Sequence, residues 1–204
     1  MPSSVPLTNI KQKLHALSHH VLRALALILK LPATYFEPFL AEANPQLGLL
    51  HYMQIPKSTI TAAGNARINP HTDFGLCTIL FQDMVGGLEV DPFHTGSFVP
   101  ATPVPGTCVI NVADLLQRLS NDKLRSTRHR VTAPKVSRER FEKMDEDELL
   151  PARYSTAFFV HPSADVEIKP VLLEGEESKY EAVNAGVWRN EHTAFNYALP
   201  VPAQ

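Results

Sequence analysis

Three stretches of the 204-residue sequence carry side chains suited to holding a metal ion and an anion. The first is Asn69-Pro70-His71-Thr72-Asp73-Phe74-Gly75. At the start of a strand, residues i and i+2 project from one face, so the His71 imidazole and the Asp73 carboxylate can converge on a point. Imidazole and carboxylate both suit iron(II) without excluding further oxygen ligands. A His-x-Asp pair alone says little, because it arises by chance in many chains. The second stretch, Ser126-Thr127-Arg128-His129-Arg130-Val131, reads as a later strand. There His129 would complete a face of two histidines and one carboxylate, with the opposite positions open. On its own, His129 would more often be a structural histidine.

The third stretch is Arg153-Tyr154-Ser155-Thr156-Ala157-Phe158-Phe159. Arg153 and Ser155 share a strand face that Ala157 and Phe159 continue. A guanidinium beside a hydroxyl is a receptor for a carboxylate. An arginine on an apolar inward face is costly without an anionic partner. The competing arrangement places Arg153 on the exposed face of an edge strand, and periodicity alone does not separate the two. His15 and His19 are also spaced i, i+4, but without the intervening glutamate of a zinc-protease helix they read as surface or packing histidines.

These side chains need a β scaffold, and the apolar patterning supplies one. From Leu47 onward, short runs (LGLLHYMQI, CTILFQ, GGLEV, SFVPA, CVINV, STRHRV and RYSTAFFV) alternate with Gly, Pro, Asn and Asp, which predicts an antiparallel sandwich or barrel. Gly86-Gly87 and Pro105-Gly106 supply turns. Ahead of the strands, Leu14, Leu17, Val21, Leu25, Ile28 and Leu29 predict an amphipathic helix over about Asn9 to Leu31, capped by Thr8 or Asn9 and ended by Pro32. A second short helix is expected around Ala33 to Ala43. The charged run Ser137 to Leu150 reads as a solvated loop or short surface helix. Trp188 and Phe195 are the expected packing residues of a tail from Tyr180 to Tyr197.

Composition fits one soluble domain with an appendage: 44% hydrophobic and 20% charged residues, with 17 prolines suiting many turns. A formal charge of -2 gives no reason to expect a nucleic-acid or acidic-membrane partner. Cys77 and Cys108 lie in apolar stretches and read as reduced core cysteines. The N-terminus lacks a signal-peptide pattern, and Val21 to Leu31, broken by Arg23 and Lys30, is too short to span a bilayer. A cytoplasmic protein is expected.

Taken together and in order, the three stretches resemble the iron(II)- and 2-oxoglutarate-dependent dioxygenases, in the branch similar to isopenicillin N synthase. The resemblance runs from about Leu47 to Pro162. It includes HTDFG, the LFQD at Leu80 to Asp83, the GGLEV at Gly86 to Val90, PVPGTCVINVADLLQRLSN from Pro103 to Asn121, LRSTRHRV and RYSTAFF. It implies a mainly β fold, a double-stranded β-helix or jelly roll, over residues 44–165. A helical segment at 1–43 and a helical tail at 166–204 would flank it. The resemblance assigns His71, Asp73 and His129 to Fe(II), and Arg153 with Ser155 to the distal carboxylate of 2-oxoglutarate. Tyr52 is similar to a family tyrosine that reaches the same carboxylate, although Met53 stands where a proline usually follows; a buried packing tyrosine is the alternative.

The activity so implied is the oxidation of a small-molecule substrate by dioxygen, with 2-oxoglutarate converted to succinate and carbon dioxide. Hydroxylation and desaturation are both compatible with the ligand set. No catalytic residue beyond the metal ligands is indicated, and Phe74, Leu80 and Phe159 are candidates for the substrate pocket. Members of this family usually carry a further N-terminal segment, so the first 43 residues are expected to be the remnant of a longer region. Two alternatives follow: a catalytically silent jelly roll that retains ligand binding, and an oxidase that uses no 2-oxo acid.

Overall fold

The computed structural model of the chain describes residues 7–61, 66–133 and 143–197. Helix α1 (Leu7–Ile28) presents Leu14, Ser18, Leu22 and Ala26 to the interior, a stripe of helical period. It begins before Thr8 and Asn9, which lie in its first turn instead of capping it. It ends ahead of Pro32, because Lys30 turns left-handed (φ 60°) and the Leu31 amide donates to the Ala26 carbonyl at 2.9 Å. The expected second helix is a series of turns with one 3-10 segment, Pro38–Leu40. Pro38 has no amide hydrogen to continue an α-helical ladder, and the bonds here span three residues, as from Phe39 to Phe36 and Leu40 to Glu37.

The strands are β1 (Gln46–Tyr52), β2 (Ile55–Pro56), β3 (Ile68–His71), β4 (Cys77–Gln82), β5 (Leu88–Asp91), β6 (Val99–Pro100), β7 (Val109–Val112), β8 (Arg128–Val131), β9 (Leu149–Leu150), β10 (Arg153–Val160), β11 (Glu167–Ile168) and β12 (Val183–Asn184). Short helices α2 (Lys57–Thr61) and α3 (Asp114–Leu119) interrupt them, and α4 (Ala185–Tyr197) follows. One four-stranded antiparallel sheet has the order β1-β10-β4-β7, and another the order β3-β8-β5-β6. These are the two walls of a jelly roll. All seven apolar runs of the sequence contribute a strand to them.

Period-two alternation sorts the major sheet into two environments. Cys77, Ile79, Phe158 and Val160 face outward and are buried beneath Leu22 and Ala26 of α1 and Leu115, Leu116 and Leu119 of α3. Leu80, Ser155, Ala157 and Phe159 face inward and line a cavity. Burying an aliphatic or aromatic side chain contributes about 1.5–3 kcal/mol. The helix-to-sheet layer, which holds most of the fully buried large side chains, is therefore the main source of cohesion.

Of the charged run, residues 137–142 lie outside the described residues. The remainder is mostly exposed, as expected, with Met144 and Leu150 as its buried anchors. Leu150 is fully buried, β9 pairs with β2, and the Lys57 ammonium donates to the Met144 carbonyl at 2.9 Å. In the tail, Trp188 packs against the core while the Phe195 side chain lies outside the described residues. Residues 166–184 contain the β11–β12 pair, so the tail is helical only from Ala185. Both cysteines are free thiols. Among the described residues no helix is long and apolar enough to cross a membrane.

Candidate metal and co-substrate site

His71 ends β3 directly opposite His129 on β8, and their ring centroids are 4.2 Å apart. Asp73 stands two residues beyond the strand, in the turn. It is held there by its own carbonyl, which accepts from the Asp114 amide at 2.8 Å, and by Thr72, whose hydroxyl donates to Asp114 Oδ2 at 3.1 Å. Gly75 completes the turn. A Cβ there would come within 2.4 Å of the Val160 carbonyl oxygen, so only glycine lets the turn approach β10 this closely.

The three side chains converge. Asp73 Oδ1 lies 3.9 Å from His71 Nε2 and 3.8 Å from His129 Nε2. All three donor atoms fall within 4.8 Å of one another, and among the described residues this is the one cluster of its kind. Each histidine is oriented by its other nitrogen: Nδ1 of His71 is 2.8 Å from the Asn69 carbonyl, and Nδ1 of His129 is 3.0 Å from the Thr127 carbonyl. Donation to those carbonyls fixes the tautomer and leaves both Nε2 lone pairs directed at Asp73. Burial, reinforced by the neighbouring His129, holds His71 below the ordinary imidazole range, in the neutral form a metal requires.

Asp73 is oriented by residues that sequence reasoning missed. Its Oδ2 accepts from the Thr78 hydroxyl at 2.6 Å and from the Asn111 amide at 2.8 Å, leaving Oδ1 for the cavity. Both donors project inward from neighbouring strands, where Thr78 pairs with Asn111. Their polar character on an otherwise apolar inward face was the available signal.

Arg153 is 1% exposed, which excludes the edge-strand alternative. Its Nη1 donates to Ser155 Oγ and its Nη2 to Gln82 Oε1, each at 3.1 Å, while Nε is buried without a partner. Tyr52 is the register partner of Arg153 on β1, and the guanidinium carbon sits 4.8 Å from its ring centre. Gln82 was part of a motif in the sequence but had no assigned role. Arg67 lies nearby, and burial together with the Arg153 charge pushes its guanidinium down from the ordinary arginine range. The inner end of the cavity thus has a positive field and an unsatisfied donor, as an anion receptor needs.

The cavity has a volume of about 390 Å³ and spans both groups, from Arg153, Ser155 and Tyr52 to His71, Asp73 and His129. Leu80 and Phe159 line it as expected. Phe74 does not; it lies near His192 of α4, with ring centres 6.1 Å apart. His15 and His19 meet edge to face on α1 and join no metal-binding cluster among the described residues.

A jelly roll with a two-histidine, one-carboxylate mouth and an arginine at its inner end defines a class of oxygenase fold, and comparison with known proteins agrees. Residues 45–162 match the family model of the 2OG-Fe(II) oxygenase superfamily, and the chain belongs to that family. It is 40% identical over 191 residues to the proline hydroxylase buaE of Petromyces alliaceus, covering 91% of this chain and 54% of that protein. A full-length Neurospora crassa protein, solved with alpha-KG (2-oxoglutarate) and also with alpha-KG and thymine, superposes with a TM-score of 0.82 at 36% identity. That match covers 94% of this chain and 56% of the other. The rice dioxygenase for auxin oxidation superposes with a TM-score of 0.71 at 27% identity, covering 91% of this chain and 57% of that one. The chain therefore spans about half the length of the relatives it matches.

Proposed function

We propose that the chain is the catalytic jelly roll, residues 44–165, of an Fe(II)- and 2-oxoglutarate-dependent oxygenase that oxidises a small organic molecule. His71, Asp73 and His129 would hold the iron. Arg153 and Ser155, with Tyr52, would hold the distal carboxylate of 2-oxoglutarate. The observation that carries this reading is the coexistence, in one cavity, of a two-histidine, one-carboxylate donor set and a buried guanidinium with an unpartnered Nε. The donors fit iron(II), which accepts mixed nitrogen and oxygen ligands on one face. When bound, the iron and 2-oxoglutarate together supply the oxidising chemistry, with dioxygen as oxidant and succinate and carbon dioxide as co-products.

The residues of the chain do the positioning. The carbonyls of Asn69 and Thr127 accept from Nδ1 and so turn the two Nε2 atoms toward the cavity. Thr78 and Asn111 hold Asp73 so that one oxygen faces the cavity. Ser155 and Gln82 set the plane of the Arg153 guanidinium, and the Tyr52 ring supports it. Leu80, Val90, Val131 and Phe159 keep water sparse around the reacting centre.

Relatives act on diverse small molecules: one is named a proline hydroxylase, one was solved with thymine, and one is named for auxin oxidation. The test is anaerobic addition of Fe(II) and 2-oxoglutarate, which should give the weak visible charge-transfer band of a chelated keto acid. His71→Ala and Asp73→Ala should each abolish it, and a band surviving in both would refute the assignment. Arg153→Ala should weaken 2-oxoglutarate binding with iron retained. Succinate release on substrate addition separates this reading from an oxidase that uses no 2-oxo acid.

A further inference from the structure

Building on that proposed function, we infer that Arg125 is a specificity-determining residue: it receives the anionic group of the primary substrate, which is a small organic acid. Alternation along the chain puts Arg125, Thr127, His129 and Val131 on one inward row, and all four line the cavity. An exposed arginine is ordinarily a solubilising surface group. Arg125 differs in sharing this row with a candidate iron ligand. Four residues from His129, its Cα lies at most about 14 Å from the Cα of that histidine, within reach of a molecule that also touches the metal.

The backbone on both sides of Arg125 is clamped. The Leu124 amide donates to Ser120 Oγ at 3.0 Å, and the Ser126 amide donates to Gln117 Oε1 at 2.6 Å. The Ser126 carbonyl lies 2.8 Å from His94 Nε2. The Arg125 guanidinium itself has no hydrogen bond or ion pair among the described residues. A cation held by a fixed backbone and left unpaired at a cavity wall is prepared for an external anion.

Charge bookkeeping points the same way. The formally charged residues lining the cavity are Asp73, Arg125 and Arg153. Divalent iron and Arg153 balance Asp73 and the dianionic co-substrate, three positive charges against three negative. Arg125 is left over as one positive charge in a cavity whose lining is largely apolar, Leu80, Val90, Pro92 and Phe159 among it. A neutral substrate would leave that exposed charge to water, whereas a monoanion would complete the balance within the cavity.

The test uses the full chain loaded anaerobically with Fe(II) and 2-oxoglutarate. L-proline, indole-3-acetate and 3-phenylpropanoate are titrated calorimetrically, each against its carboxamide. At least one acid should bind about tenfold or more tightly than its amide, as expected for a charge-assisted contact. Arg125→Gln should erase that preference, Arg125→Lys should retain part of it, and 2-oxoglutarate affinity should stay unchanged in both. If no acid is preferred over its amide, or if the preference survives Arg125→Gln, the inference is overturned. The charge-transfer band in the same samples separates the two levels. A band without acid preference removes only the role of Arg125, while no band in the unmodified chain removes the underlying oxygenase reading as well.

Discussion

His71 and His129 face each other across the β3–β8 ladder, and each is fixed by a bond from Nδ1 to the carbonyl two residues before it. The repeated i to i−2 arrangement makes the two ligands local copies of one device. Asp73 lacks a support of that kind and depends on side chains of two neighbouring strands, Thr78 and Asn111. That asymmetry extends the site beyond the ligands themselves.

Thr78→Val keeps volume and β propensity but removes the hydroxyl that orients Asp73. Loss of such a supporting bond typically costs 10- to 100-fold in metal affinity. Anaerobic Fe(II) titration should show a loss of about that size with the fold retained. Unchanged affinity would mean that Asn111 alone orients the carboxylate.

Gly75→Ala forces a methyl group against the Val160 backbone, which cannot move aside as a side-chain end can. The expected cost is about 1–3 kcal/mol of stability. Because Gly75 follows Asp73 by two residues, iron affinity should fall as well. Chemical denaturation alongside metal titration measures both.

Burial, with a smaller contribution from the Asp73 charge, pushes the Cys77 thiol up to about 12. Its reactive thiolate is therefore scarce at pH 8. A thiol reagent at that pH should label Cys108, which is partly exposed, and spare Cys77 until the protein is unfolded. Mass spectrometry of the labelled peptides distinguishes the two; rapid native labelling of Cys77 would contradict its packing.

Arg118 pins the C-terminal segment to α3. Its guanidinium carbon lies 4.8 Å from the Tyr180 ring centre and 5.0 Å from that of Trp188, and its Nε and Nη2 donate to the Glu181 carbonyl. Each cation–π contact is worth about 0.5–1 kcal/mol at a partly exposed site. Arg118→Ala should hasten proteolytic removal of α4 while leaving the jelly roll intact, as judged by limited proteolysis.

Legibility from sequence followed the strength of periodic signals. CTILFQ and RYSTAFFV alternate over enough residues to reveal the strands, but only the burial of Arg153 in the folded sheet fixes it on the inward face. The β2–β9 and β11–β12 pairs comprise two residues per strand, too short for any period to register. A second helix is expected around Ala33 to Ala43, yet Pro38, which has no amide hydrogen, leaves only a 3-10 turn there. Within the site, His71, Asp73, His129 and Arg153 stand out by type. Thr78, Asn111 and Gln82 do not, because a polar residue on a strand acquires meaning only when the sheet places it beside a partner.

The layer of fully buried side chains lies outside the barrel, between the major sheet and helices α1 and α3, while the barrel interior is cavity. Folding and selectivity are thereby assigned to opposite faces of the same strands. Changing an inward residue such as Val90, Val109 or Leu80 alters what the cavity admits while leaving the helix-backed layer untouched. A scaffold partitioned in this way can exchange one substrate for another through few mutations, each with little effect on whether the chain folds.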